Sequence, residues 1–295
     1  MLNVTFHGVR GSAPVPSPGN VRFGTHTACV ALEVPKEEPI VLDLGSGLRR
    51  WSQALAAAAD DGSPGGTGEG PPVPLRAAAL VSHLHWGHVQ GLPDFAPLEH
   101  PGTVLDVFGP RPDEGPLARV VADTLGPPWF RERVDERPAT VRFHEVHDEE
   151  LAVGTARVMV RSVPHGTGVT HGYRVDRGGV TVAYVPDHDP PPDLDGVAEG
   201  VLELADRVDL LVHDAQLSAA DWPGGAGRGH SPVGYAVLVA REAGARRVAL
   251  FHHAPDRDDD ELDHLLEVAR RSAERLGVDE VLSAYEGLTV CLEPS

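Results

Sequence analysis

Five apolar, β-branched segments of this 295-residue chain each end on a residue able to bind a metal or carry a proton. Ala79-Leu80-Val81 runs into Ser82-His83, Val158 to Val163 into Pro164-His165, and Val182 to Val185 into Pro186-Asp187. Leu210-Leu211-Val212 runs into His213-Asp214, and Val248 to Phe251 into His252-His253. Short runs of this composition predict buried strands. In α/β proteins the loops just past the carboxyl ends of strands carry the site, because rigid strands hold them in place. The pattern constrains the chain to a fold in which these distant ends converge.

The remaining elements agree with a layered α/β protein. Met1 to Phe6, Cys29 to Val34, Ile40 to Leu44, Val104 to Phe108 and Leu288 to Leu292 are further strand candidates. One helix is predicted from Ser231 as N-cap, with Pro232 at its first position and Gly244 at its end. A second runs from about Asp259 to Leu276, with Leu262, Leu265, Leu266 and Ala269 on one face and Gly277 after it. Asp60 to Pro74, rich in Gly, Pro and Ser, reads as a flexible surface loop interrupting a single domain over residues 1–295.

Composition narrows the partners. A formal net charge of −19 disfavours an extended nucleic acid, whose phosphates such a surface repels. No run of about 18 apolar residues is present to span a membrane. Two lone cysteines, Cys29 and Cys291, form no disulfide framework, and the amino terminus lacks a basic stretch followed by an apolar core. A cytoplasmic protein is the expectation.

His83, His85 and His88 form an H-x-H-x-x-H cluster whose rings can converge from one tight loop. Imidazole suits zinc and its neighbours, and His165, Asp187 and His252 at other strand ends extend the candidate ligand set. The chain resembles metallo-β-lactamase-fold hydrolases of the branch containing ribonuclease Z and cyclic phosphodiesterases. The likeness covers nearly the whole chain through Arg10-Gly11-Ser12, Gly24-Thr25-His26-Thr27, Asp43-Leu44-Gly45-Ser46-Gly47, the His83 loop and Val185-Pro186-Asp187. It continues through His213-Asp214-Ala215-Gln216, Gly229-His230-Ser231 and Leu250-Phe251-His252-His253.

This resemblance implies a four-layer αββα sandwich, with two mixed sheets flanked by helices. It also implies one or two divalent ions, zinc foremost, with manganese or iron as alternatives. His83, His85 and His165 would hold the first ion, Asp187 would bridge, and His88 with His252 would serve the second. His253 is the alternative to His252. Gly87 stands where the family motif H-x-H-x-D-H has its Asp, which implies a weaker second site.

A further implied pair is Asp214 with His230: a carboxylate orients an imidazole and favours its protonated form, which then protonates a leaving oxygen. His230 precedes the predicted helix start, whose free N–H groups favour an anion. Other histidines are expected to be solvated (His100, His144, His147, His264) or supporting (His7, His26, His171, His188), and Asp43 to be a hydrogen-bonded turn residue. Arg10, Arg22 and Arg228 are candidate phosphate contacts. The leading expectation is a metal-dependent phosphodiesterase for a small cyclic or diester phosphate, in a family where homodimers are common. The alternatives are a lactone- or thioester-type acyl hydrolase, and a metal-binding protein whose activity is altered or lost through Gly87.

Overall fold

Apolar strands bounded by polar turns pair into two sheets whose carboxyl-terminal edges face each other. The computed structural model describes residues 1–59, 74–166 and 168–294. The loop expected at 60–74 lies, apart from Pro74, outside the described residues. The first sheet contains β1 (Leu2–Gly8), β2 (Cys29–Glu33), β3 (Ile40–Leu42), β4 (Arg76–Leu80), β5 (Val104–Gly109), β6 (Thr140–Glu145) and β14 (Thr289–Leu292). Its order is β14-β1-β2-β3-β4-β5-β6. The second contains β7 (Glu150–Val153), β8 (Ala156–Ser162), β9 (His171–Arg177), β10 (Val180–Val185), β11 (Leu210–Asp214), β12 (Arg247–Phe251) and β13 (Glu280–Ser283), in reverse numerical order. In each sheet the outer antiparallel ribbon gives way to parallel pairing, through β3 to β6 in one and β10 to β13 in the other.

Side-chain alternation distributes each strand between two cores. From β10, Val182 and Tyr184 point between the sheets, where they join Val4, Leu32, Leu80, Val212 and Phe251. Ala183 and Val185 of the same strand point outward, onto α4 (Glu199–Ala205), α6 (Val233–Ala243) and α7 (Asp259–Leu276). The first sheet is covered in the same way by α1 (Leu48–Ala59) and α3 (Leu117–Thr124), through Leu48, Trp51, Leu117 and Val121. Two single turns, α2 (Trp86–Val89) and α5 (Trp222–Gly225), lie in the connections after β4 and β11. The result is the expected αββα sandwich, and strands buried on both faces read as continuous apolar runs for this reason.

The start of α7 is fixed by a reciprocal cap, in which the Asp258 carboxylate accepts from Glu261 N and the Glu261 carboxylate accepts from Asp258 N. Gly244 and Gly277 close α6 and α7 with φ of 66° and 75°, a conformation only glycine adopts at little cost. One boundary differs from expectation. Ser231 does not cap α6; Pro232 holds the N-cap position, and Ser231 Oγ instead donates to His188 O. Among the described residues no helix is long and apolar enough to cross a membrane.

Leu32 is fully buried between the sheets, opposite Val4 and Ile40. Leu32→Ala should lower unfolding free energy by about 2–5 kcal/mol, read by denaturant titration, with metal content per folded chain unchanged.

Candidate metal centre

The carboxyl ends of β3 and β4 in one sheet meet those of β8, β10, β11 and β12 in the other. There the described residues bring together every ligand candidate. One nitrogen each of His83, His85 and His165 lie within 4.8 Å of one another, as do ligand atoms of His83, His88 and Asp187. Asp187 Oδ2 is 3.2 Å from His88 Nε2 and 3.4 Å from His252 Nε2, and these two nitrogens are themselves 3.2 Å apart. Asp187 Oδ1 lies 3.6 Å from His165 Nε2. The carboxylate thus presents one oxygen to each of two groups of imidazoles.

Hydrogen bonds on the far side of the rings fix which nitrogen faces inward. His88 Nδ1–H donates to Asp43 Oδ2 at 2.7 Å, and His165 Nδ1–H donates to Gly229 O at 2.6 Å. Both acceptors lack protons, so Nδ1 must carry one. Ser82 Oγ donates its single proton to Asp43 and therefore accepts from His83 Nδ1 at 3.0 Å. Three Nε2 lone pairs consequently point at one region beside the Asp187 carboxylate. Asp43 is the hub of this support. It also accepts from Ser82 N and from the Tyr184 hydroxyl at 2.8 Å, while wholly buried.

Such convergence is repulsive unless a positive charge lies within it, and this is the test of fit for a cation. His83 Nε2 and Asp187 Oδ2 are buried without any hydrogen-bond partner. Burial holds His83 and His252 well below the usual histidine range, leaving neutral rings suited to coordinate. His88 behaves oppositely: burial works against its charged form, but Asp187 and Asp43 prevail and raise it to about 10. A position that binds a proton this strongly is one where a metal cation replaces it. The donor set of imidazoles with one shared carboxylate suits zinc or a similar borderline ion.

Geometry distinguishes neighbours that sequence left open. The His252 ring turns into the cluster, its backbone adopting φ 56°, whereas His253 Nε2–H points away and donates to Ala284 O, 2.9 Å distant. His213 and His188 form a buried layer behind the site, with His188 Nδ1 3.0 Å from His213 Nε2. Gly87 is hemmed in: a Cβ there would lie 3.0 Å from Ser12 O, so the Gly11-Ser12 turn occupies part of the space a carboxylate would need.

Of the arginines, Arg10 is wholly buried and donates to the carbonyls of Gly24, Ala254 and Arg257, bracing the segment after His253. Arg22 pairs with Asp260 and Asp263 on α7. Arg10 is thereby committed to backbone carbonyls; Arg228 is exposed two residues before His230. At the start of α6, where the sequence predicts an anion cradle, Val233 N donates to Leu217 O and Tyr235 N to Pro232 O, so these two N–H groups are already engaged. His144 pairs with Asp106, and His26 with Glu286, both outside the site.

Asp214 and His230 do form a pair. His230 Nδ1 lies 3.1 Å from Asp214 Oδ2 and 3.6 Å from Asp187 Oδ1. Asp214 also accepts from the backbone N–H groups of His188, Gln216 and Ser231, which fix its orientation. Burial disfavours the charged imidazole, but the Asp214 carboxylate, helped by Asp187, outweighs it and raises the His230 pKa above its ordinary value. A cavity of about 240 Å³ opens beside His83, His85 and His165 and is rimmed by Arg111, Asp113 and Glu114.

Comparison with known proteins places this geometry in context. Residues 65–253 match the Beta-lactamase superfamily domain. Ribonuclease Z of Methanothermobacter thermautotrophicus is 27% identical over an alignment covering 85% of this chain and 86% of that protein. A diphosphatase of the PhnP family superposes with a TM-score of 0.68 at 19% identity, over 99% of this chain and 98% of the other. Zinc-bound PqqB of Methylobacterium extorquens gives the same TM-score and identity, over 98% and 100%. The two solved structures share the fold.

Asp43 touches no candidate ion position and acts through His88 and Ser82. Asp43→Asn should weaken zinc binding about 10- to 100-fold, measured by competition with a chromophoric chelator; an unchanged affinity would remove Asp43 from the site. Because a cation would have to displace the His88 proton, zinc affinity should fall progressively as pH drops below about 10, with proton release on binding at neutral pH seen by calorimetry in buffers of different ionisation enthalpy.

Proposed function

The chain belongs to the beta-lactamase superfamily and is a metal-dependent hydrolase, and we propose that it opens small cyclic or diester phosphates as one metallo-β-lactamase-fold domain. The observation that carries this reading is the Asp214–His230 pair beside the ligand cluster. A phosphodiester releases an alkoxide, a poor leaving group that requires a proton; a thioester releases a thiolate, which does not, and in lactone hydrolysis attack on the carbonyl is harder than departure of the alkoxide, so both depend less on a separate acid. The ribonuclease Z relative and the diphosphatase neighbour, both of which act on phosphate bonds by name, support the same class.

The assigned roles follow from position. His83, His85 and His165 would hold one divalent ion and His88 and His252 would serve a second, with the Asp187 carboxylate available to both groups. Bound divalent ions supply a water acidic enough to ionise near neutrality and positive charge opposite the nonbridging phosphate oxygens. His230, held by Asp214 and protonated, gives its Nε2 proton to the departing oxygen as the P–O ester bond breaks. The attacking water supplies the new P–O bond, and its released proton restores the pair. Asp187 and Asp214 flank His230 and keep its charged form favourable throughout.

His230→Ala should lower kcat on bis-para-nitrophenyl phosphate or a cyclic nucleotide by 10²- to 10⁴-fold (roughly the worth of a general acid) with zinc content retained. Since the charged imidazole is the competent form, wild-type kcat falls as pH rises through the raised His230 pKa. Asp214→Asn removes the group that raises it, so the alkaline limb should move to lower pH. A limb that stays in place, or a His230→Ala enzyme of full activity, assigns the proton elsewhere. Exhaustive chelation should abolish turnover, and zinc, manganese or ferrous ion should restore it.

A further inference from the structure

The candidate ligands are buried, with His83, His88, His165, Asp187 and His252 each at most 8% exposed. His85 is the exposed member of the set, so the centre opens to solvent at that side chain. The next residue in the same loop is Trp86, whose indole remains 47% exposed. Its ring stacks on Phe130, with centroids 5.9 Å apart and planes inclined by 29°. Phe130 is in turn anchored against the core under the first sheet, so it is a fixed base rather than a loose side chain. Trp129 beside it is 80% exposed.

Large aromatic side chains left open on and near the ligand-bearing loop gain nothing for folding from that exposure. The same loop contains His83, His85 and His88, so Trp86 directly follows the exposed candidate ligand, next to the cavity that His83 and His85 line. Charge does not explain the surface. Arg133, just past the aromatic segment, is engaged by Asp123 and Asp135. What the surface offers is a π-face, which recognises planar rings of any sequence.

Resting on the phosphodiesterase reading, we infer that Trp86, seated on Phe130, is a stacking platform for a planar heteroaromatic group on the substrate, so that the phosphate diesters favoured here carry a nucleobase. The phosphate then lies at the ion centre while the base covers the indole. The distinction is between nucleotide diesters and diesters of plain sugars or alkyl alcohols.

The experiment compares binding of adenosine 5′-monophosphate and ribose 5-phosphate to the zinc-loaded protein by calorimetry and tryptophan fluorescence. Trp51 and Trp222 are buried, so quenching reports Trp86 and Trp129. Adenosine monophosphate should bind roughly tenfold or more tightly than ribose 5-phosphate, as expected for one stacked base, and should quench the fluorescence. Trp86→Ala and Phe130→Ala should each shrink that ratio towards one, and Trp86→Phe should keep most of it. Equal affinities in the wild type, or a preference that survives Trp86→Ala in a zinc-replete protein, overturn the platform and leave the phosphodiesterase reading standing. Failure of both phosphates to bind overturns the phosphate reading and the platform with it.

Discussion

Everything at the site depends on one electrostatic condition: imidazole lone pairs and the Asp187 carboxylate converge in a region buried except at the opening by His85. Taking such groups from water costs several kcal/mol per ion unless opposite charge and hydrogen bonds compensate. Here two carboxylates, Asp187 and Asp43, clasp His88 from opposite sides and demand positive charge between them. The participating residues come from both sheets, so a cation that satisfies them also joins the sheets. Binding energy at the centre is therefore coupled to the stability of the sandwich.

Local backbone strain is the counterpart of that convergence. Asp43 and His252 both adopt left-handed conformations, with φ of 59° and 56°, directly after strands β3 and β12. Non-glycine residues there cost about 1–2 kcal/mol each. The surrounding ladder holds them: Asp43 N donates to Leu80 O, and His253 N donates to Val9 O. The turns redirect each side chain from its strand's face into the rim. Arg10 reinforces the second turn by gathering the carbonyls of Ala254 and Arg257. A buried arginine bonded to carbonyls would read as a wasted charge were it not bracing this segment.

The features legible in the sequence are those that a single segment encodes. Doubly buried strands such as β10 and β12 stand out as apolar runs, and α7 announces itself through its acidic first turn and its glycine stop. Strands β6 and β7, at or near the sheet edges, and β9, with polar residues at alternate positions, lack that signal. The ligand candidates were visible because each ends a recognisable strand. What escaped was the support behind them. Ser82 and Tyr184 are unremarkable in sequence, and only the meeting of β3, β4 and β10 shows that both serve Asp43. Asp43 itself reads as a turn residue, and it is one; its second task, aiming His88, belongs to contacts between segments 45 residues apart. The same limit applies to Trp86, whose partner Phe130 lies in a loop after α3.

The loss of a carboxylate at Gly87 changes the charge of the centre as well as its ligand count. With Asp187 the shared acid among the candidate ligands, two divalent ions would leave a strongly positive centre inside a chain whose formal charge is −19. These opposing fields act over different distances. Surface charges are screened within a Debye length of about 8 Å at physiological salt, whereas buried charges are screened much less. On the function proposed above, a long polyanion would be repelled along its whole length, whereas a small phosphate diester would cross that layer once, at the opening by His85. Gly87, by withholding a negative group from the interior, would favour the anion that enters.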